Sequence, residues 1–204
     1  MGATRCTTLD ETTGAQLLSI AARSIEVTLG LGWAAPPDPA ALGPALGERR
    51  ASFVTLTVDG ALRGCCGSLE PLRPLALDAW RNARAAASLD RRFVPLAPAE
   101  WRAAGLEVSV LTPQVPLVVR SEAELVGQLV VGRDGLVLEW RGQRATFLPK
   151  VWEQLPGPVE FLRHLKHKAG WEPGFWAPDL RVWRYETESV SAGRVADLDG
   201  PAAS

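Results

Sequence analysis

The stretch best equipped for chemistry is Leu62-Arg63-Gly64-Cys65-Cys66-Gly67-Ser68, which sets an arginine two residues before a cysteine and brackets two thiols with glycines. Just upstream, Asp59-Gly60 is the residue pair that a two-residue hairpin turn demands, so 53–58 and 61–66 are expected to be antiparallel strands. Side chains alternate across a strand, which predicts Arg63 and Cys65 on one face and Cys66 on the other. A guanidinium beside Cys65 would favour the thiolate, the nucleophilic form of cysteine. Gly64 and Gly67 would let a ligand approach the backbone, and the amides there, with Ser68, would hold an anion. The same residues also fit a cramped strand end in which cysteine acts as a small hydrophobe.

Other residues have narrower uses. Glu107 alternates with Val108 and Val110, which predicts a carboxylate on the polar face of a strand, able to act as a base or to wall a ligand site. Arg92 follows an alanine-rich helix and suits an anion, or a salt bridge at the helix end. His164 and His167 stand three apart, but Arg163, Lys166 and Lys168 surround them, so a basic solvated face is expected there and no metal ligand is assigned. Gly30-Leu31-Gly32 mimics a dinucleotide fingerprint after a helix, which is the wrong context. No phosphate-binding loop, His-Glu-x-x-His or Cys-x3-Cys-x2-Cys pattern is present, and no cofactor follows from the sequence.

Around these residues the periodicity predicts helices over about 12–29, 75–88, 98–104, 122–131 and 158–169, and strands over 106–111, 136–140, 143–148 and 180–190. A Pro- and Gly-rich connector spans about 31–50, and 191–204 reads as a disordered tail. Tight hairpins mixed with non-alternating helices argue an α+β fold with a largely antiparallel sheet flanked by helices.

Composition sets the outer bounds. The 204 residues are 47% hydrophobic and 22% charged, the ordinary globular range. Twenty-two basic residues stand against 23 acidic ones, and this neutrality argues against nucleic acid as a partner. Only Lys150, Lys166 and Lys168 among the basic residues are lysine, a bias most simply genomic. Cys6, Cys65 and Cys66 are too few for a disulfide scaffold. The first 14 residues lack the apolar run of a signal peptide, no window matches a membrane span, and Cys6 stands where a Met1-Gly2 myristoylation site needs Ser or Thr. A cytoplasmic, reducing location without membrane attachment is expected.

An ordered set of motifs resembles one family. Phe53-Val54-Thr55-Leu56 with Leu62-Arg63-Gly64-Cys65-x-Gly67 is followed by Asn82-Ala83-Arg84-Ala85-Ala86-Ala87, Asp90-x-Arg92-Phe93-x-Pro95-Leu96 and Glu107-Val108-Ser109-Val110-Leu111-Thr112-Pro113. Gly132-x-Asp134-Gly135-Leu136, Phe147-Leu148-Pro149-x-Val151-Trp152, Glu160-Phe161-Leu162 and Lys168-Ala169-Gly170 complete it. These resemble the AMMECR-type domain family, also called AmmeMemoRadiSam system protein A, with Cys66, Lys150 and His167 departing from its usual residues. The resemblance implies one domain over 1–190 built of two intertwined subdomains, the second smaller, with a cleft between them.

It also implies a Memo-like protein and a radical-SAM enzyme as partners, this chain not being the radical enzyme. The function expected is an accessory enzyme using a cleft thiol, with Cys65, Arg63 and Glu107 as its chemistry and Gly64, Gly67, Ser68 and Arg92 holding the ligand. A non-catalytic adaptor or substrate-presenting protein is the alternative, and a nucleotide or RNA binder the weaker one. Whether the chain is an enzyme is left open by its residues.

Overall fold

Asp10 accepts the Thr13 amide at 2.7 Å, so one of the unpaired N–H groups at a helix start is satisfied and α1 (Glu11–Thr28) begins there. The computed structural model describes residues 9–199; Cys6 and the Met1-Gly2 start lie outside them. The chain forms two units, one from residues up to 111 together with those from 188 onward, the other from 112–187.

In the first unit, α2 (Pro44–Gly47), β1 (Ser52–Val58), β2 (Ala61–Gly67), α3 (Leu75–Ser88) and β3 (Gly105–Leu111) follow α1. After the second unit, β8 (Thr187–Ala192) completes a four-stranded sheet in the order β2-β1-β3-β8, with β1 antiparallel to both its neighbours. Helices α1 and α3 cover one face. Leu17, Ala21 and Ile25 of α1 and Ala76, Ala79 and Ala83 of α3 are buried in one core with Val54, Leu56, Val108 and Val110. The alanine stripe lets α3 lie close to the strands, and each apolar group removed from water adds about 25 cal/mol per Å².

The connector is not featureless. Asp38 caps a short 3-10 turn over Pro39–Ala41, and α2 puts Leu46 into the core. Arg50, 3% exposed, donates to Glu188 at 3.1 Å and to the Leu111 carbonyl at 3.4 Å. The reading of 191–204 as disordered needs correction: β8 runs through Ala192, a 3-10 turn occupies Val195–Asp199, and Val195 is buried in the core. Residues 200–204 lie outside the description.

The second unit contains β4 (Val115–Leu117), α4 (Glu122–Gln128), β5 (Gly135–Trp140), β6 (Gln143–Phe147), α5 (Pro158–Lys168) and β7 (Arg181–Tyr185). Its sheet has the order β4-β7-β5-β6 and every neighbouring pair is antiparallel. Leu136, Leu138, Val182, Phe161 and Leu165 share its core, where the Trp152 ring stacks on Phe161 at 3.8 Å. The expectation of an α+β fold with antiparallel sheets flanked by helices holds.

The basic helix is not one solvated face. Lys166 is buried and donates to Glu122 at 2.6 Å and to the Pro173 carbonyl at 3.0 Å, while Lys168 donates to the Thr146 carbonyl at 2.9 Å. His164 and His167 are exposed. Among the described residues no helix is long and apolar enough to cross a membrane.

Candidate functional site

The β1–β2 hairpin turns through Asp59 and Gly60, at φ +51° and +78°, the left-handed pair that a type I′ turn needs. From there Val58 pairs with Ala61 and Thr57 with Leu62, and then the register slips: Leu56 pairs with Gly64, leaving Arg63 unpaired in a β-bulge. The extra residue resets the alternation. Cys65 therefore pairs with Thr55 on the face turned away from α1 and α3, and Cys66 pairs with Val54 on the core side.

The predicted pairing of Arg63 with Cys65 is thus corrected. The Arg63 Nε and Nη2 form a fork on Glu100, both at 2.9 Å, while Nη1 donates to the Val94 carbonyl at 2.6 Å and Nη2 also to that of Pro95 at 3.1 Å. That ion pair holds the Glu100 carboxyl below its ordinary range. Arg63 fastens the loop after α3 to β2; its donors are turned to that loop.

Three other expected ligand contacts also serve the fold. A Cβ on Gly64 would come within 2.2 Å of the Ala86 carbonyl oxygen, so glycine is there for the approach of α3. A Cβ on Gly67 would strike the Phe53 ring at 2.3 Å, so that ring lies over the glycine. Ser68 donates its hydroxyl to Asp78 at 2.6 Å and its amide to the Ser52 carbonyl at 3.0 Å.

What the structure does bring together is a row across three strands. Thr55 is in register with Cys65 on one side and Glu107 on the other, so all three side chains share a face. The Thr55 hydroxyl donates to Cys65 Sγ at 3.5 Å. Ser109 donates to Glu107 at 3.3 Å and meets the Ser189 hydroxyl at 2.8 Å, extending the polar row toward β8. Two strand spacings separate Cys65 from Glu107, about 9–10 Å. With Thr55 standing between them, Glu107 is too far to take the thiol proton directly.

The Cys65 backbone is fixed from outside the sheet. Because β2 is an edge strand, its outer amides and carbonyls have no neighbouring strand. Asp90 accepts the Cys65 amide at 2.9 Å, and Arg92 donates to the Cys65 carbonyl at 3.2 Å. Arg92 also grips Asp90 through Nε at 2.9 Å and Nη2 at 2.7 Å. These bonds hold the Asp90 carboxyl far below its usual range, the contact with Arg92 contributing most. Burial pushes the Cys66 thiol up, with the Asp90 charge adding to it. Both cysteines are free.

The depressed Asp90 pKa has a consequence for acid stability. The unfolded chain takes up this proton first, near the free-carboxyl value of about 3.9, so the Asp90 contribution is complete above that pH and fades as pH falls toward the folded value. Urea midpoints of wild type and Asp90→Asn should differ by a constant amount from pH 7 to about 5 and converge toward pH 2. A gap that is unchanged at pH 2.5 would refute this linkage.

Thr55, Asp90 and Glu100 were not among the expected site residues. Thr55 had a signal in its position opposite Cys65 once the turn was placed; Asp90 follows α3 and Glu100 lies in a 3-10 turn over Pro98–Ala103, and no periodicity reveals the partners of either. Among the described residues no group of three or more His, Cys, Asp or Glu is placed to hold a metal ion.

Comparison with known proteins gives consistent results. Residues 18–190 match the AMMECR1 family model. A protein of Methanothermobacter thermautotrophicus is 41% identical over 143 residues, covering 69% of this chain and 74% of the relative. One of Thermofilum pendens is 37% identical over 191 residues, covering 86% and 87%. The crystal structure of an uncharacterized protein from Pyrococcus horikoshii superposes with a TM-score of 0.82 at 33% identity, covering 95% of this chain and 96% of that one.

Proposed function

The chain belongs to the AMMECR1 family, and from that premise we propose that it is an accessory component of a radical-SAM- and Memo-linked system whose sheet-face thiol, Cys65, contacts a small-molecule ligand. The observation that carries this reading is the in-register row Cys65–Thr55–Glu107, with the Thr55 hydroxyl donating to Sγ. Thr55 sets the direction of the sulfur, and the Asp90–Arg92 clamp sets the height of its peptide. A thiol so oriented can attack an electrophilic carbon or hold a ligand by its S–H, while Glu107 walls the far end. Cys66 turns to the core and has no part in it.

The test is anaerobic co-expression with a Memo-like protein and a radical-SAM enzyme, followed by mass spectrometry of the recovered chain and of small molecules that accompany it. We expect a ligand or mass addition that wild type and Cys66→Ala retain and Cys65→Ser loses by at least about tenfold. Equal yields from Cys65→Ser would overturn the thiol role.

One observation favours the adaptor reading. Arg63, Gly64, Gly67 and Ser68 are all engaged within the fold, leaving few polar groups for chemistry. An adaptor predicts that Cys65→Ser co-purifies with both partners and supports their activity in full.

A further inference from the structure

Arg92 is an arginine held in place with one end left open. Its Nε and both Nη2 hydrogens are spent on Asp90 and the Cys65 carbonyl, and Asp90, only 7% exposed, cannot swing away. The guanidinium lies 5.4 Å from the Phe93 ring centroid, and the side chain is 58% exposed. Of the five donors that a guanidinium carries, the two on Nη1 face no acceptor among the described residues. The position is set before any ligand arrives, so little conformational freedom is lost on binding.

The same guanidinium is bonded to the residue that carries the thiol. Nη2 is 3.2 Å from the Cys65 carbonyl oxygen, and ordinary covalent dimensions then put the guanidinium about 5–8 Å from Sγ. An acid of two to four carbons spans that gap. We infer that the Cys65 site takes a small monocarboxylate, its carboxylate on Arg92 Nη1 and its carbon chain directed at Sγ. This rests on the reading of Cys65 as a ligand-contacting thiol and adds the class of ligand. A singly charged group is favoured over a dianionic phosphate because the Asp90 carboxylate, held on the same guanidinium, repels the second charge.

Two alkylating probes of nearly equal size decide the matter, neutral iodoacetamide and anionic iodoacetate. In both, Sγ forms the S–C bond, iodide leaves, and the thiol proton passes to buffer. Rates are read separately at Cys65 and Cys66 by peptide mass spectrometry on the reduced full chain, with 2-mercaptoethanol as the free-thiol reference. At low salt the iodoacetate-to-iodoacetamide ratio at Cys65 should exceed that of 2-mercaptoethanol about fivefold or more, and 1 M NaCl should remove most of the excess.

The double variant Asp90→Asn/Arg92→Gln removes both charges, leaving the local net charge unchanged, and should bring the ratio within about twofold of the reference. The salt series in wild type needs no variant, so it stands even if the double variant loosens β2. A wild-type ratio equal to the reference, or an excess that survives the double variant, overturns the carboxylate inference while leaving the thiol reading intact. Failure of iodoacetamide to label Cys65 overturns both.

Discussion

Asp78→Ala should lower the stability of the protein by about 4 kcal/mol, a large part of the roughly 5–15 kcal/mol that holds a domain together. The Asp78 side chain is fully buried at the first turn of α3. Its Oδ2 accepts the Ser52 amide and hydroxyl at 2.8 Å each, the Ser68 hydroxyl at 2.6 Å and the Asn82 amide at 2.8 Å, and its Oδ1 takes Arg73 at 2.9 Å. One carboxylate thus ties the start of β1, the residue after β2 and α3 together.

Alanine would leave the Ser52 groups and the Asn82 amide without this acceptor, and each stranded buried donor costs about 1–3 kcal/mol. Asp78→Asn should cost roughly half as much, since its carbonyl can keep the Oδ2 contacts while its NH2 faces Arg73, which can turn to water. Equilibrium urea unfolding gives the check: the midpoint drops and the slope stays constant. A loss under about 1 kcal/mol for Asp78→Ala would show that the network is dispensable.

Gly64→Ala is the second large effect, expected to cost about 3 kcal/mol. The added methyl would sit 2.2 Å from the Ala86 carbonyl oxygen and 3.1 Å from its carbon, both backbone atoms that cannot rotate aside. Either α3 or β2 must move, and forced overpacking of this kind costs about 1–3 kcal/mol or more. The strand that moves carries Cys65 next in sequence, so iodoacetamide labelling of Cys65 should change together with the urea midpoint. Gly127→Ala, where nothing lies within 4 Å of the new methyl, is the control and should cost nothing or stabilise α4 slightly. If Gly64→Ala matched that control, the close approach of α3 would be disproved.

The elements were largely legible because their signals are local. The stripe Leu75-Ala76-Ala79-Ala83-Ala86 marked α3, and Asp59-Gly60 and Arg141-Gly142 marked their turns, where φ values of +51°, +78°, +47° and +82° confirm the left-handed geometry. The expected strand over 180–190 was legible as extended chain but not as two strands. It breaks at Glu186: β7 pairs with β5 and β4 in one sheet, and β8 lies beside β3 in the other. Which sheet an extended segment joins depends on pairing partners far along the chain, such as Glu139 for Arg181 and Val115 for Arg184, and periodicity carries no such information. The short β4, with Pro116 inside it, was missed because proline argues against a strand unless the strand is at an edge, as this one is.

The site shows the same division more sharply. The hairpin residues alone determined that Cys65 and Cys66 point to opposite faces, and the run of matching motifs identified the family, because neighbouring side chains and ordered motifs are properties of the chain itself. The tertiary structure decided which groups accompany Cys65. A single bulge at Arg63 broke the alternation, Glu100 captured the guanidinium, and α3 and Phe53 filled the space above two glycines. Thr55 from the neighbouring strand and Asp90 from a loop joined Glu107 and Arg92, which the sequence had already named. The physical reason is range: alternation fixes a direction over two or three residues, whereas a hydrogen bond or an ion pair joins whatever groups folding brings within about 3 Å, however far apart they lie in the chain.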